Sequence, residues 1–383
     1  MKIFYTSPSI DPTIEKRHFL QLALNLKVLR NDLLLLVPRY SRDKNKNYEF
    51  DTVFIPTGGR QTFRSYLLVE FLRFVYLPFL LLRFRPDVIY NRKEKFDFGP
   101  PFWACLFQVP YVVEVNTILE KELKISGYPE WMIKVFKIVE FFNYKVASRI
   151  ICVTDGIKNW LLKSFKLKEK QMRVVSNGVD TKLFRPLDKK ECRQKLGLEG
   201  NFFYVGFSGS FAPWQDLETL VKAAKLVKAT GYPIRYLLMG SGARESELRH
   251  LVDQNQLEKD VFFAGWVEYE KVPLYIGSFD ICYVSRSGPS LCGSPLKLYE
   301  YFSCGKPVIA SRVEGIKENI EENKNGFLFE PNNAEELADV IVRCFLHRDS
   351  LEHLGLAGRE LIESKYSWRD IAQKIIMVFH EIV

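Results

Sequence analysis

The sequence predicts an α/β protein with doubly wound parallel sheets in two successive halves. Short apolar runs alternate with segments of helical periodicity along the whole chain. The pattern restarts after a linker near residues 187–200. Several runs in the second half end in glycine-containing loops, as expected where a ligand sits beyond the carboxyl ends of parallel strands. At 383 residues, 47% hydrophobic and 26% charged, the chain is long and apolar enough for two domains with large cores and is not a disordered polymer.

In the first half, Lys2–Thr6 is predicted as a strand, followed by a helix over about 15–30 with Phe19, Leu22, Ala23 and Leu26 on one side. Strands are expected at 33–37, 52–55, 87–90, 111–115 and 150–153, and helices at about 98–107 and 130–147. The segment 60–85 is apolar nearly all round, with Arg60, Arg64, Arg73, Arg83 and Arg85 interspersed and a kink expected at Pro78. Hydrophobicity on every side means burial, or one face in the core and another in lipid. Its nine uncharged residues 74–82 are too few to span a bilayer, which takes about 20. Asp155 is the expected N-cap of the next helix, and Asn177-Gly178 is a turn at a strand end.

In the second half, a strand at 202–207 runs into Gly209-Ser210, and a helix follows over 217–229. A strand at 234–239 ends in Gly240-Ser241-Gly242, and one at 261–264 ends in Gly265-Trp266-Val267. Glycines at these ends let the backbone approach phosphate or base. After a strand at 280–283 comes Ser294-Pro295-Leu296-Lys297-Leu298-Tyr299-Glu300-Tyr301, then Gly305-Lys306-Pro307 and the apolar run Val308-Ile309-Ala310. This reads as loop, helix, turn and buried strand. Lys297 and Glu300, three apart, share one edge of the first helical turn. The unpaired N–H groups and positive dipole end there attract anions, Lys297 adds a cation, and Glu300 can accept two hydroxyl hydrogen bonds, as from a ribose. A further strand is expected at 327–329, and helices at about 334–346, 351–365 and 368–382 close the chain.

Charge is uneven. Residues 1–185 hold 31 Lys and Arg against 18 Asp and Glu, net +13, and the remainder holds 24 against 28, net −4. This implies an anionic partner for the first half. A membrane face, a phosphorylated acceptor or nucleic acid would each supply the charge, and the mixing of basic with large apolar residues favours the first two. Seven cysteines without a Cys-x-x-Cys pair read as free, mostly buried thiols, the start of the chain reads as a strand rather than a signal peptide, and a cytosolic location is expected.

The segment 294–311 resembles the signature of the family-4 retaining glycosyltransferases, in the subgroup with Ser-Pro-x-Lys-x-x-Glu-Tyr followed by Gly-x-Pro-Val-Ile-Ala. The segments 149–158 and 173–186, including Asn177-Gly178-Val179-Asp180, resemble the same family. The resemblance implies the GT-B fold, with two Rossmann-like domains facing a cleft. Residues 1–186 would bind the acceptor, 187–366 would bind the nucleotide sugar, and the helix 367–383 would pack back on the first domain. By position, Gly209, Ser210, Ser294 and Leu296 would lie around the donor diphosphate, and Gly240 would belong to the donor site. Trp266 and Val267 would flank the base, Glu300 would hold the ribose, and Asn116 with Glu114 would line the acceptor side. His18 is a weaker candidate for the same side, a surface or packed histidine being the expected reading.

The chain departs from that pattern in five places. Cys292 stands for the first of the usual two glutamates, Ser210 for an arginine, Gln215 for a lysine, Asn116 for a histidine, and Ser7-Pro8-Ser9 for a Gly-Gly turn. A diphosphate leaving group needs positive charge, so Lys297 is the expected replacement cation, with Arg286 second. The resemblance therefore implies sugar transfer from a UDP- or GDP-sugar to a glycan or polyprenyl-linked acceptor, with retention. Neither metal nor nucleic acid is expected, and peripheral contact with an anionic membrane is. A sugar-nucleotide epimerase of the same fold and a non-catalytic partner subunit are the rival classes.

Overall fold

The structure is a computed structural model that describes residues 1–7, 18–39, 51–56, 63–286 and 293–383. It divides into two compact units. Unit 1 contains residues 1–178 and 368–383, and unit 2 contains 179–290 and 295–367. Cys292, Pro8, Ser9 and Arg60 lie outside the described residues.

Unit 1 is a parallel sheet whose described strands are β1 (Lys2–Thr6), β2 (Asp32–Arg39), β3 (Asp51–Pro56), β4 (Val88–Arg92), β5 (Tyr111–Val115), β6 (Arg149–Cys152) and β7 (Met172–Val174). Their order is β3-β2-β1-β4-β5-β6-β7, so the order reverses between β1 and β4. Helix α1 (Leu20–Val28) covers one face of the sheet, and α2 (Phe63–Phe84), α3 (Gly99–Phe107), α5 (Glu130–Val146) and α6 (Asp155–Phe165) cover the other. A short helix, α4 (Leu119–Ile125), follows β5. β4 and β5 are buried along their whole length, the polar Asn91, Arg92 and Glu114 included.

Helix α2 continues through Pro78. Proline has no N–H for the carbonyl four residues back, that of Phe74. The indole Nε1 of Trp103 donates to that carbonyl at 2.8 Å. At the start of α6 the cap is Thr154, whose side chain accepts from the N–H of Ile157, and Asp155 is instead the first helical residue. The hydroxyl one residue earlier has the extended backbone a cap needs, and Asp155 acts on the dipole from the first turn.

Unit 2 is a second parallel sheet, of order β10-β9-β8-β11-β12-β13. It comprises β8 (Phe203–Ser208), β9 (Ile234–Met239), β10 (Val261–Gly265), β11 (Ile281–Val284), β12 (Val308–Ser311) and β13 (Gly326–Phe329), with the order reversing between β8 and β11. Between and around them run α7 (Lys189–Leu196), α8 (Leu217–Lys228), α9 (Glu245–Gln254), α10 (Val272–Ser278), α11 (Leu296–Ser303), α12 (Ala334–Leu346) and α13 (Leu351–Lys365).

The last helix, α14 (Trp368–His380), belongs to unit 1. Its Trp368, Ile371, Ile375 and Phe379 join α1 and the strand residues Tyr5 and Tyr90 in one core. Gly178 is required here, because a Cβ on it would come within 2.8 Å of the Trp368 ring.

Candidate active site

In each unit the functional residues gather at the carboxyl ends of the strands where the order reverses, the position at which open α/β sheets leave a crevice.

In unit 2 three strand ends are laced together through glycines. The N–H of Gly209 donates to Met239 O at 2.9 Å, that of Gly240 to Gly265 O at 2.8 Å, and that of Phe211 to Ser241 O at 2.9 Å. Gly209 and Gly240 have φ of 141° and 137°, and a Cβ on Gly240 would come within 1.8 Å of the Gly209 carbonyl oxygen. No other residue type fits this crossing.

Lys297, in the first turn of α11, reaches this place. Its Nζ lies 3.9 Å from the centre of the Phe207 ring and donates to Gln215 Oε1 at 2.6 Å. A Cβ on Gly209 would come within 2.9 Å of the same Nζ. The helix is fastened there by Tyr301, whose hydroxyl accepts from the Ser208 N–H at 2.6 Å.

Gln215 is followed by Asp216, which has no role in the sequence-based expectations. Asp216 has φ of 52° and is buried. Its carboxylate accepts from Thr219 Oγ1 at 2.7 Å and Ser285 Oγ at 3.0 Å, and its carbonyl accepts from Tyr283 at 2.8 Å. Burial raises its pKa. An aspartate three residues before a threonine at a helix start was the available signal.

The remaining expected residues divide. Ser210 and Trp266 are exposed, Trp266 at 67%, while Val267 packs on a core. Ser294 is buried and Leu296 half-buried just ahead of and within α11. Glu300 is only 4% exposed, so the carboxylate expected to stand open is covered. Arg286 donates its main-chain N–H to Ser311 Oγ at 3.0 Å.

In unit 1, Asn116 follows β5 and donates from Nδ2 to Glu114 Oε1 at 2.6 Å. Glu114 is 2% exposed, receives the Tyr90 hydroxyl on Oε2, and has His18 Nε2 3.1 Å from Oε1. His18 is packed, edge-on to Trp368. Among the described residues, Asn116 Oδ1 and the Nε and Nη1 of buried Arg92 have no partner. Buried polar atoms left unsatisfied mark a place where a ligand or water completes the bonding. This cluster is therefore the acceptor-side candidate, with His18, the weaker candidate from the sequence, in it and Tyr90 and Arg92 as additional members. No spacing in the sequence joins Tyr90 and Arg92 on β4 to His18 ahead of α1 and Glu114 on β5.

Burial works to raise the Glu114 pKa, but His18, Arg92 and the Tyr90 hydrogen bond outweigh it and hold the carboxyl down to about 2. Burial and then Arg92 push His18 below its ordinary value of 6.5. Both groups bind protons less readily when folded: the stabilisation from His18 is complete above its ordinary 6.5 and is lost as pH falls below it, and that from Glu114 is complete above its ordinary 4.5 and is lost towards about 2. In thermal melts His18 should contribute a fall in stability as pH drops below 6.5, of at most about 1.4 kcal/mol per pH unit for one proton, against the opposite contributions of Glu70 and Glu94, whose carboxyls burial raises. His18→Gln should flatten that slope, and equal slopes in both chains would remove His18 from the account.

Two family descriptions match the chain: "Glycosyltransferase Family 4" over residues 16–183 and "Glycosyl transferases group 1" over 188–361. An uncharacterised glycosyltransferase of Methanocaldococcus jannaschii is 24% identical over 243 residues, covering 63% of this chain and 60% of that protein. A UDP-Gal:alpha-D-GlcNAc-diphosphoundecaprenol alpha-1,3-galactosyltransferase of Escherichia coli is 26% identical over 303 residues, covering 76% of this chain and 73% of that one. The match thus spans about 60% of the length of the first of these relatives. Among solved structures, Anabaena HepE in complex with UDP superimposes over 100% of both chains with a TM-score of 0.80 at 20% identity. The two parallel sheets and this likeness show the GT-B fold.

Proposed function

We propose that this chain, a family-4-like glycosyltransferase by its two family matches and its GT-B fold, moves a sugar from a nucleoside diphosphate sugar to a hydroxyl of a glycan or lipid-linked acceptor, with retention at the anomeric carbon. The observation that carries this reading is the placement of Lys297 Nζ against the Gly209 turn, where three glycine-bearing strand ends meet.

In this reading the diphosphate lies on the backbone of Gly209, Ser210 and Gly240, close to Lys297 and to the amino end of α11. As the bond from the anomeric carbon to the diphosphate oxygen breaks, a cation and fixed N–H dipoles stabilise the negative charge that develops on that oxygen. The acceptor oxygen bonds to the same carbon, and its proton leaves on the departing diphosphate. Glu300 takes the ribose hydroxyls once donor entry uncovers it. Asn116 Oδ1 accepts from a sugar hydroxyl, with Glu114 fixing which way the amide points.

Support for a lipid-linked acceptor comes from the Escherichia coli relative, whose name specifies a diphosphoundecaprenol-linked substrate, and support for a uridine donor comes from HepE bound to UDP. We place the protein on the cytosolic face of a membrane, where such acceptors are presented.

A donor that binds only the folded chain raises its melting temperature by mass action, by about 2.7 kcal/mol of stability at 100 times Kd. We expect a UDP- or GDP-sugar to do so, and Lys297→Ala to lose the effect. Release of nucleotide together with an altered free sugar, and no need for an acceptor, would identify an epimerase. No shift with any nucleotide sugar would favour a non-catalytic partner subunit.

A further inference from the structure

Two long helices of unit 1 carry large apolar residues on both faces. On α5 the buried face carries Ile133 and Phe136 together with Glu140, Asn143 and Tyr144, while Trp131 and Ile138 are 65% and 70% exposed. On α2 the buried face carries Val69, Leu77 and Leu81 together with Glu70 and Arg73, both at most 1% exposed, while Phe71, Phe79 and Leu82 are 60–69% exposed. A surface helix of a water-soluble domain turns a polar face outward instead. Between them lies α3, packed on both, with Leu106 62% exposed. The three helices follow successive strands and share one core on one face of the sheet, so their outer surfaces adjoin.

The inward polar groups are bonded mainly to one another, with Glu70 Oε2 and Arg73 Nε left without a partner among the described residues. Arg73 donates to Glu70, to Asp97 at 3.0 Å, to Thr6 at 3.1 Å and to Asn91 at 3.0 Å. Lys93 Nζ lies 2.8 Å from Glu140, which also accepts from Tyr144 at 2.9 Å.

We propose that the outer surface of α2, α3 and α5 seats the protein on a bilayer containing anionic lipid. Charge decides between lipid and other occupants. Exposed Lys134 and Lys145 interrupt the apolar stripe of α5, Lys145 lying 5.3 Å from the Phe141 ring centre, and Arg83 is exposed at the end of α2. On α2, α3 and α5 themselves the acidic residues are Glu70 and Glu140, both buried, and Glu130, exposed at the amino end of α5. An apolar face edged by cations is the composition of a helix lying in the headgroup region, and the first half as a whole carries +13. No helix among the described residues is long and apolar enough to cross a membrane, so the contact is interfacial. This deepens the function proposed above by assigning the surface that meets the acceptor's membrane, yet it is read without donor or acceptor.

Flotation with vesicles of equal parts phosphatidylcholine and phosphatidylglycerol tests it. The chain should float, and Phe79→Ser with Ile138→Ser, both at highly exposed sites, should weaken partitioning about tenfold or more with unchanged circular dichroism. Lys134→Gln with Lys145→Gln should weaken binding to these vesicles but not to phosphatidylcholine alone. Failure to float at low salt, or equal flotation of the serine variant, would overturn the proposal. So would gel filtration showing a dimer that the serine variant dissociates without any change in lipid binding. A retained thermal shift with donor in that case would leave the catalytic reading standing.

Discussion

Arg73→Leu is expected to destabilise unit 1 by about 3–5 kcal/mol, the cost of leaving buried charges without their partner. Arg73 is 0% exposed and is bonded to two carboxylates and two neutral groups at once. Removing it strands Glu70 and Asp97 side by side. Burial already presses the Glu70 carboxyl upward, and Arg73 is what opposes that pressure. The damage would spread, because Asn91 donates to Asp97 at 2.7 Å and to Tyr111 at 2.9 Å, and Tyr111 donates to Asn143 at 2.8 Å. One network therefore ties α2, β4, β5 and α5. Urea titration followed by circular dichroism measures the loss. Adding Glu70→Gln and Asp97→Asn to Arg73→Leu should recover part of it, since the uncompensated charges go. A loss below about 1 kcal/mol for the single variant would mean that water reaches the site.

Lys297→Ala is expected to lower turnover about 10²- to 10³-fold, the effect of removing one fixed stabiliser of transition-state charge. Its side chain is half-buried and ends on Gln215, so the fold should survive with its melting temperature nearly unchanged. The division of the effect between kcat and KM is informative. A fall in kcat with KM preserved places the cation on the leaving diphosphate, whereas a rise in KM alone places it on ground-state binding. Initial rates with a saturating acceptor would separate these. Undiminished turnover would remove Lys297 from the reaction and with it the mechanism proposed here.

The frame of both units was legible in the sequence because the strands are buried on both sides, and such strands are written as unbroken apolar runs. Val112-Val113 and Ile309-Ala310 are examples, each 0% exposed. The glycine crossings at 209, 240 and 265 were legible for a related reason, since each ends such a run. Two short helices, α4 and α10, were missed. Each has seven residues, too few for a period to register, and α10 opens with a proline that reads as a loop. The cap at Thr154 was assigned one residue late, because Thr154 and Asp155 are both good caps and only backbone angles separate them. The inward orientation of Arg73 and Glu140 was illegible. Their partners Asp97 and Lys93 lie 24 and 47 residues away, and an apolar helix with scattered charges looks the same whichever way it is turned. The covered state of Glu300 was illegible too, because burial of a carboxylate depends on the fold around it.

The return of α14 to unit 1 sets an order on biosynthesis. Residues 1–178 leave the ribosome with the side of their sheet bearing Tyr5 and Tyr90 still lacking Trp368, Ile371, Ile375 and Phe379. Unit 2, whose segments all fall within 179–367, has its full complement of chain before then. The first-made half is thus the last to be finished, and in the interval its open apolar side is a natural client for chaperones.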